Sequence, residues 1–149
     1  MYHAYVNDAR GPSSAGLFSL LHAAGVAQSH VESRLSAVGL SLPKLAALRA
    51  LSAAGESLPL GQLAERLSCV KSNITQLVDR LETDGLVARE HDPNDRRSRL
   101  AVMTPAGRKA CDEGTRVQEE AERELFGGLS LDEARQLDTL IQKVTQRAE

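Results

Sequence analysis

The sequence predicts a mainly α chain with one small β-hairpin (α+β), on three observations. Apolar residues recur at helical spacing over most of the length; the period drops to alternation between residues 86 and 103; and that stretch is split by a Pro, Asn and Asp turn beside an arginine cluster. Composition agrees, because 42% of the 149 residues are hydrophobic but only 3% are aromatic, so the core must be built from Leu, Ala and Val. Leu and Ala favour helices. At this length a single domain over residues 1–149 is expected.

Residues 1–16 hold Gly11, Pro12, Ser13, Ser14 and Gly16 and read as an irregular, flexible arm. From Leu17 a stripe through Leu21, Ala24, Val31, Leu35 and Val38 predicts a long helix over residues 17–39, ending near Gly39. Ser41 is a good N-cap, with Pro43 in the first turn of a second helix that carries Leu45, Leu48 and Leu51 and stops at Gly55. After the link ESLP, the run LGQLAERL supplies a helix of about two turns. The turn SCV leads into KSNITQLVDRLETDG, where Val70, Ile74, Leu77, Val78 and Leu81 share one face and Gly85 ends the helix. LVAREH and SRLAVM alternate on either side of DPNDRR and read as a hairpin with an exposed basic tip. Thr104 and Pro105 open a helix that runs to about Phe126, where Gly127 and Gly128 break it. Ser130 and Glu133 form a capping box for a last helix bearing Leu137, Leu140, Ile141 and Val144.

A short helix, a tight turn, an amphipathic helix and a hairpin make the layout of a winged helix-turn-helix, here over residues 41–104. The flanking helices, residues 17–39 and 105–149, carry apolar faces too extensive for so small a lobe to cover. They are expected to bury them against a second copy, giving a homodimer with long flanking dimerisation helices.

Charge is distributed unevenly. The net value of −2 conceals +1 over residues 1–59, +2 over 60–109 and −5 over 110–149, so positive charge gathers in the middle. A major groove admits one helix, read from its early, outward positions. On the amphipathic helix Lys71, Ser72, Asn73, Thr75, Gln76, Asp79 and Arg80 lie off the apolar stripe. Asn73 and Gln76 offer the donor and acceptor pair that matches adenine, Ser72 and Thr75 can meet a base or a phosphate, and Lys71 and Arg80 suit phosphates. A polar outer face is also what any surface helix has. The hairpin tip is more specific, since Arg96, Arg97 and Arg99 on a short turn can place a guanidinium in a narrow minor groove. Asp92 and Asp95 are expected to hold an arginine in one rotamer by bidentate pairing.

The run LAERLSCVKSNITQLVDRLETDGLVAREHDPNDRRSRLAVMTPAGRK resembles the MarR family over its DNA-binding lobe: the LA-x-x-L helix, the K-S-x-x-T-x-L-V-D-R-L-E helix, the G-L-V-x-R strand, the D-P-x-D-R-R wing and a T-P-x-G helix start, with Met103 where Leu is commoner. The flanking helices match the family in order and length. The resemblance implies a homodimeric transcriptional regulator on double-stranded DNA, with recognition helices in successive major grooves of a pseudo-palindromic operator. It implies that Ser72, Asn73, Thr75 and Gln76 face bases, that Arg80 meets the backbone, and that Arg97 is the wing-tip arginine positioned by Asp95. The family commonly has Arg at the position of Gln76, which alters the expected operator preference.

Relatives of this kind often release DNA when a small aromatic or anionic molecule binds between the dimer helices and the DNA-binding lobe, or when a Cys is oxidised, so a repressor with such a trigger is expected. His22, His30, Arg34 and Arg49 are the polar candidates for that effector pocket, though helical position does not say which faces inward. Cys69 precedes the amphipathic helix, whose N-terminus can lower a thiol pKa; a buried, inert thiol is the other reading. Cys111 reads as packing.

Other classes lack support in the sequence. No GxSxG, phosphate loop, HExxH or comparable set marks an enzyme, and no cofactor is implied. His3, His22, His30 and His91 have no metal-ligand spacing. No apolar run can span a membrane and the N-terminal residues lack a secretion signal, so a cytoplasmic protein is expected. A winged helix can also serve as a protein-interaction module without DNA binding. That alternative predicts a neutral or acidic wing and an outer helix face poor in hydrogen-bonding side chains.

Overall fold

A computed structural model describes residues 11–68 and 71–148. In chain order the elements are α1 (Gly11–Ser36), α2 (Leu42–Ala53), β1 (Ser57–Pro59), α3 (Leu60–Arg66), α4 (Lys71–Thr83), β2 (Val87–Asp92), β3 (Asp95–Met103), α5 (Pro105–Phe126) and α6 (Leu131–Gln146). The mainly α class and the hairpin expected from the sequence are present.

Two boundaries differ from expectation. Residues 11–16, read as part of an arm, are the first turns of α1; Pro12 sits at the second helical position, where its missing N–H costs no helical bond. The link ESLP contains β1, which pairs antiparallel with β3 through Leu58 opposite Ala101. The sheet is therefore three-stranded, in the order β1-β3-β2, with β3 central. Pro59 is tolerated because β1 is an edge.

The helix ends are stabilised by the residues the sequence singled out. Ser41 accepts from the Lys44 N–H at 3.3 Å, and Glu32 of α1 accepts from the Leu42 N–H at 2.9 Å, so α1 helps to cap α2. The Thr104 hydroxyl accepts from the Gly107 N–H at 3.0 Å and donates to the Gly85 carbonyl at 2.7 Å, which ties the start of α5 to the turn after α4. Ser130 and Glu133 form the reciprocal capping box on α6.

One core gathers Leu35, Leu48, Leu63, Ile74, Leu81 and Val87 from α1 to α4 and β2. Each such side chain contributes about 1.5–3 kcal/mol by leaving water. α5 also joins this core, burying Cys111, Gly114, Val117 and Ala121 within the chain. That part of the α5 apolar face is therefore covered within the chain. Among the described residues the large apolar side chains left exposed lie in α1 (Leu17, Phe18, Leu21, Val26), at Phe126 and Leu129 around the α5–α6 turn, and in α6, which buries none of its residues. Among the described residues no helix is long and apolar enough to cross a membrane.

Candidate nucleic-acid interface

α4 presents two polar stripes. Ile74, Val78 and Leu81 are buried, which fixes the rotation of the helix and leaves Asn73, Gln76 and Arg80 exposed at i, i+3 and i+7. Thr75, Asp79 and Glu82 form a second exposed stripe on the flank towards β2. Lys71 and Ser72 occupy the first turn, and their side chains, like all of Cys69 and Val70, lie outside the described residues.

Beyond α4 the hairpin projects from the sheet. Ala101 and Met103 are buried on β3, so strand alternation puts Arg97 and Arg99 on their face and Arg96 on the opposite one. All three arginines are exposed, and His91 pairs in register with Arg99. Asp95 Oδ1 accepts from the Arg97 backbone N–H at 3.0 Å, and Asp92 Oδ1 accepts from the Asn94 N–H at 2.9 Å. Among the described residues no ion pair joins either carboxylate to Arg96, Arg97 or Arg99. The expected bidentate pairing is thus replaced by two side-chain-to-backbone bonds that shape the turn.

Sequence reasoning missed Arg89. Its side chain is only 17% exposed and reaches from β2 to α4, with Nη2 2.6 Å from Asp79 Oδ1 and Nη1 3.1 Å from Glu82 Oε1. Nη2 also donates to the Thr75 carbonyl at 3.2 Å, and the Arg89 N–H donates to Glu82 Oε2 at 3.0 Å. The signal was available: Arg89 has the parity of buried Val87, which directs it towards the helix and not to solvent.

The four effector-pocket candidates do not converge. His30 Nε2 and Arg34 Nη2 each lie 2.7 Å from Glu124 Oε2 on α5. Arg49 donates to Gln118 Oε1 at 3.1 Å, about two helical turns away on α5. His22 lies with Val26, Ser29 and His30 along an open groove on α1. Cys111 is buried, and burial followed by the charge of Asp112 pushes its thiol pKa up.

A short helix, a turn, an amphipathic helix with a polar outer stripe and a basic hairpin on a three-stranded sheet together define a winged helix-turn-helix protein. The MarR family model matches residues 40–98. The transcriptional regulator HosA of Escherichia coli is 30% identical over 105 residues, 70% of this chain and 77% of that protein. The chain belongs to the MarR family. An uncharacterised HTH-type regulator of Bacillus subtilis, YkoM, is 38% identical over 84 residues, 56% of this chain and 54% of that relative, so the match spans about half its length. Among solved structures, a MarR mutant from E. coli complexed with operator DNA superposes with a TM-score of 0.77 at 26% identity, covering 87% of this chain and 93% of that one.

Proposed function

We propose that the chain is a sequence-specific transcriptional regulator that binds a pseudo-palindromic operator in double-stranded DNA as a homodimer. The observation that carries this reading is the exposed Asn73, Gln76 and Arg80 stripe beside a wing whose Arg96, Arg97 and Arg99 enter no ion pair among the described residues. Hydrogen-bonding side chains thus stand where a major groove would be read, and guanidinium groups stand where a minor groove would lie. The E. coli MarR complex supports it by likeness of fold and sequence. In this reading Lys71, Ser72 and Thr75 add phosphate and base contacts, and Asp95 orders the wing turn.

The test is selection of a duplex from a random-sequence pool by the full-length protein, followed by shift assays. Affinity should fall steeply with salt. Gln76→Ala should relax preference at one position per half-site, by about 1–3 kcal/mol of discrimination, and Arg97→Ala should weaken binding to the selected duplex. Unchanged affinity and preference in both variants would sink the groove assignments.

The finer reading is a repressor released by a small-molecule or oxidative signal. The His30 ring and the Arg34 guanidinium meet on one carboxylate, so an anionic effector would compete with Glu124 for them. Benzoate added to the bound duplex should release wild type more readily than Arg34→Ala. Peroxide should release wild type but not Cys69→Ser if the trigger is oxidative.

A further inference from the structure

We infer that Arg89 is a positioning residue that locks the recognition helix to the wing, so that the two enter their grooves in one fixed relation. The inference rests on the DNA-binding reading above.

α4 and the hairpin are separate reading elements joined by the turn at Gly85. Sheet pairing holds the hairpin to itself and to β1, and Val87 packs the start of β2 into the core beside Ile74 and Leu81 of α4. Two residues further along the strand, Arg89 adds a polar link to the outer side of the helix. Its guanidinium takes three acceptors spread along the helix at Thr75, Asp79 and Glu82, which cover two turns. Its own backbone N–H, on an edge strand with no further strand beyond it, donates to Glu82. A planar fork that meets acceptors at three successive positions resists rotation of the helix as well as its separation from the strand, which one ammonium cannot do. The fork is 17% exposed but Asp79 and Glu82 are 60% and 45% exposed, so solvent weakens each single pair and the hold comes from the three acceptors acting together.

The same contacts have an electrostatic consequence. Asp79 and Glu82 are acidic groups on a helix expected to approach phosphates, and Arg89 offsets their charge at contact distance. It does so from the strand side, leaving the Asn73, Gln76 and Arg80 stripe uncovered.

Two variants separate positioning from charge. Arg89→Lys keeps the cation and loses the fork; Asp79→Asn combined with Glu82→Gln keeps the guanidinium and weakens its anchors. Each is titrated by fluorescence anisotropy against the duplex recovered by the wild-type protein and against a scrambled duplex of equal length. Each DNA-free protein is also followed by amide hydrogen exchange. The expected result for Arg89→Lys is a loss of about tenfold on the recovered duplex, the size of one base contact, with less than about a twofold change on the scrambled one, where charge alone acts. The double variant should lose specific affinity while binding scrambled DNA at least as well as wild type. Exchange should quicken in α4 and in β2 and β3 but not in α1 or α5.

Wild-type affinity of Arg89→Lys for the recovered duplex overturns the proposal, as do equal losses on both duplexes or exchange that quickens throughout the chain. If Arg89→Lys does not fold, the double variant decides by the same criteria. A wild-type protein that recovers no duplex overturns the DNA-binding reading and this proposal together; one that recovers a duplex which Arg89→Lys binds equally well overturns this proposal alone.

Discussion

Asp95 and Arg97 are joined by a 3.0 Å hydrogen bond from the Arg97 backbone N–H to the Asp95 carboxylate, which makes Asp95 a builder of the wing turn. An asparagine oxygen can accept the same bond. Asp95→Asn should therefore bind the selected duplex as tightly as wild type or slightly more tightly, since a negative charge leaves the neighbourhood of the phosphates. Asp95→Ala loses the bond and should weaken binding by about 1 kcal/mol, roughly fivefold. Anisotropy titrations at fixed salt compare the three proteins. A large loss in Asp95→Asn would mean that the carboxylate charge acts on the guanidinium itself.

Gly107 and Gly114 both lie on the buried face of α5, but their surroundings differ. A Cβ on Gly107 would stand 2.0 Å from the Leu86 carbonyl oxygen, part of the backbone after α4; one on Gly114 would meet the Leu40 and Leu45 Cδ1 atoms at 2.6 and 2.8 Å. Backbone cannot give way as methyl groups can. Alanine gains about 1 kcal/mol over glycine within a helix, against about 1–3 kcal/mol or more for overpacking. Gly114→Ala should come out within about 2 kcal/mol of wild type, and Gly107→Ala should lower the melting temperature by more than about 4 °C or prevent folding. Thermal denaturation followed by circular dichroism gives the order; the reverse order would contradict the packing described.

Cys111 supplies a pH dependence with a definite sign. Burial, reinforced by Asp112, raises the thiol above its ordinary value of 9.0, so the folded chain holds this proton more tightly than the unfolded one. The associated stability is present at neutral pH and is lost as the pH rises from 9.0 through the raised folded value. In a Cys69→Ser background, Cys111 should resist a thiol reagent at about pH 8 until denaturant is added. Stability should fall more steeply above pH 9.0 than in the Cys69→Ser, Cys111→Ala protein, which controls for Lys and Tyr titration. Rapid labelling of the native protein would show that the site opens.

Much of this fold was legible because its signals are periodic or chemical. The stripe through Ile74, Val78 and Leu81, the N-caps at Ser41 and Thr104 and the capping box at Ser130 each declare an element locally. β1 did not, because three residues are too few to alternate and its partner β3 lies over 40 residues away. The first turns of α1 were hidden by Gly11, Pro12 and two serines, residues that suit a loop and a helix start equally. Of the candidate site, the exposed α4 stripe and the basic hairpin could be read directly. The role of the Asp95 carboxylate, the convergence of His30 and Arg34 on Glu124 and the clamp at Arg89 could not, since each depends on contacts between atoms that sequence spacing leaves undetermined.

α6 should be the element whose alteration separates dimerisation from folding. It buries none of its residues, and its Leu140, Ile141 and Val144 border an apolar cleft with Leu17 and Leu20 of α1. Removing each such side chain from water is worth about 1.5–3 kcal/mol, which this chain alone leaves unused. A second copy applying the same surface by two-fold symmetry would bury it, and binding successive major grooves would require the two α4 helices to lie about 34–36 Å apart, one turn of DNA. Leu140→Glu with Val144→Glu places two charges in that seam and none in the core of the lobe. The double variant should sediment as a monomer at concentrations where wild type is dimeric, retain helical circular dichroism over α2 to α5, and lose its advantage on a duplex with two half-sites over a duplex with one. A variant that still sediments with wild type would move the dimer interface elsewhere on the chain.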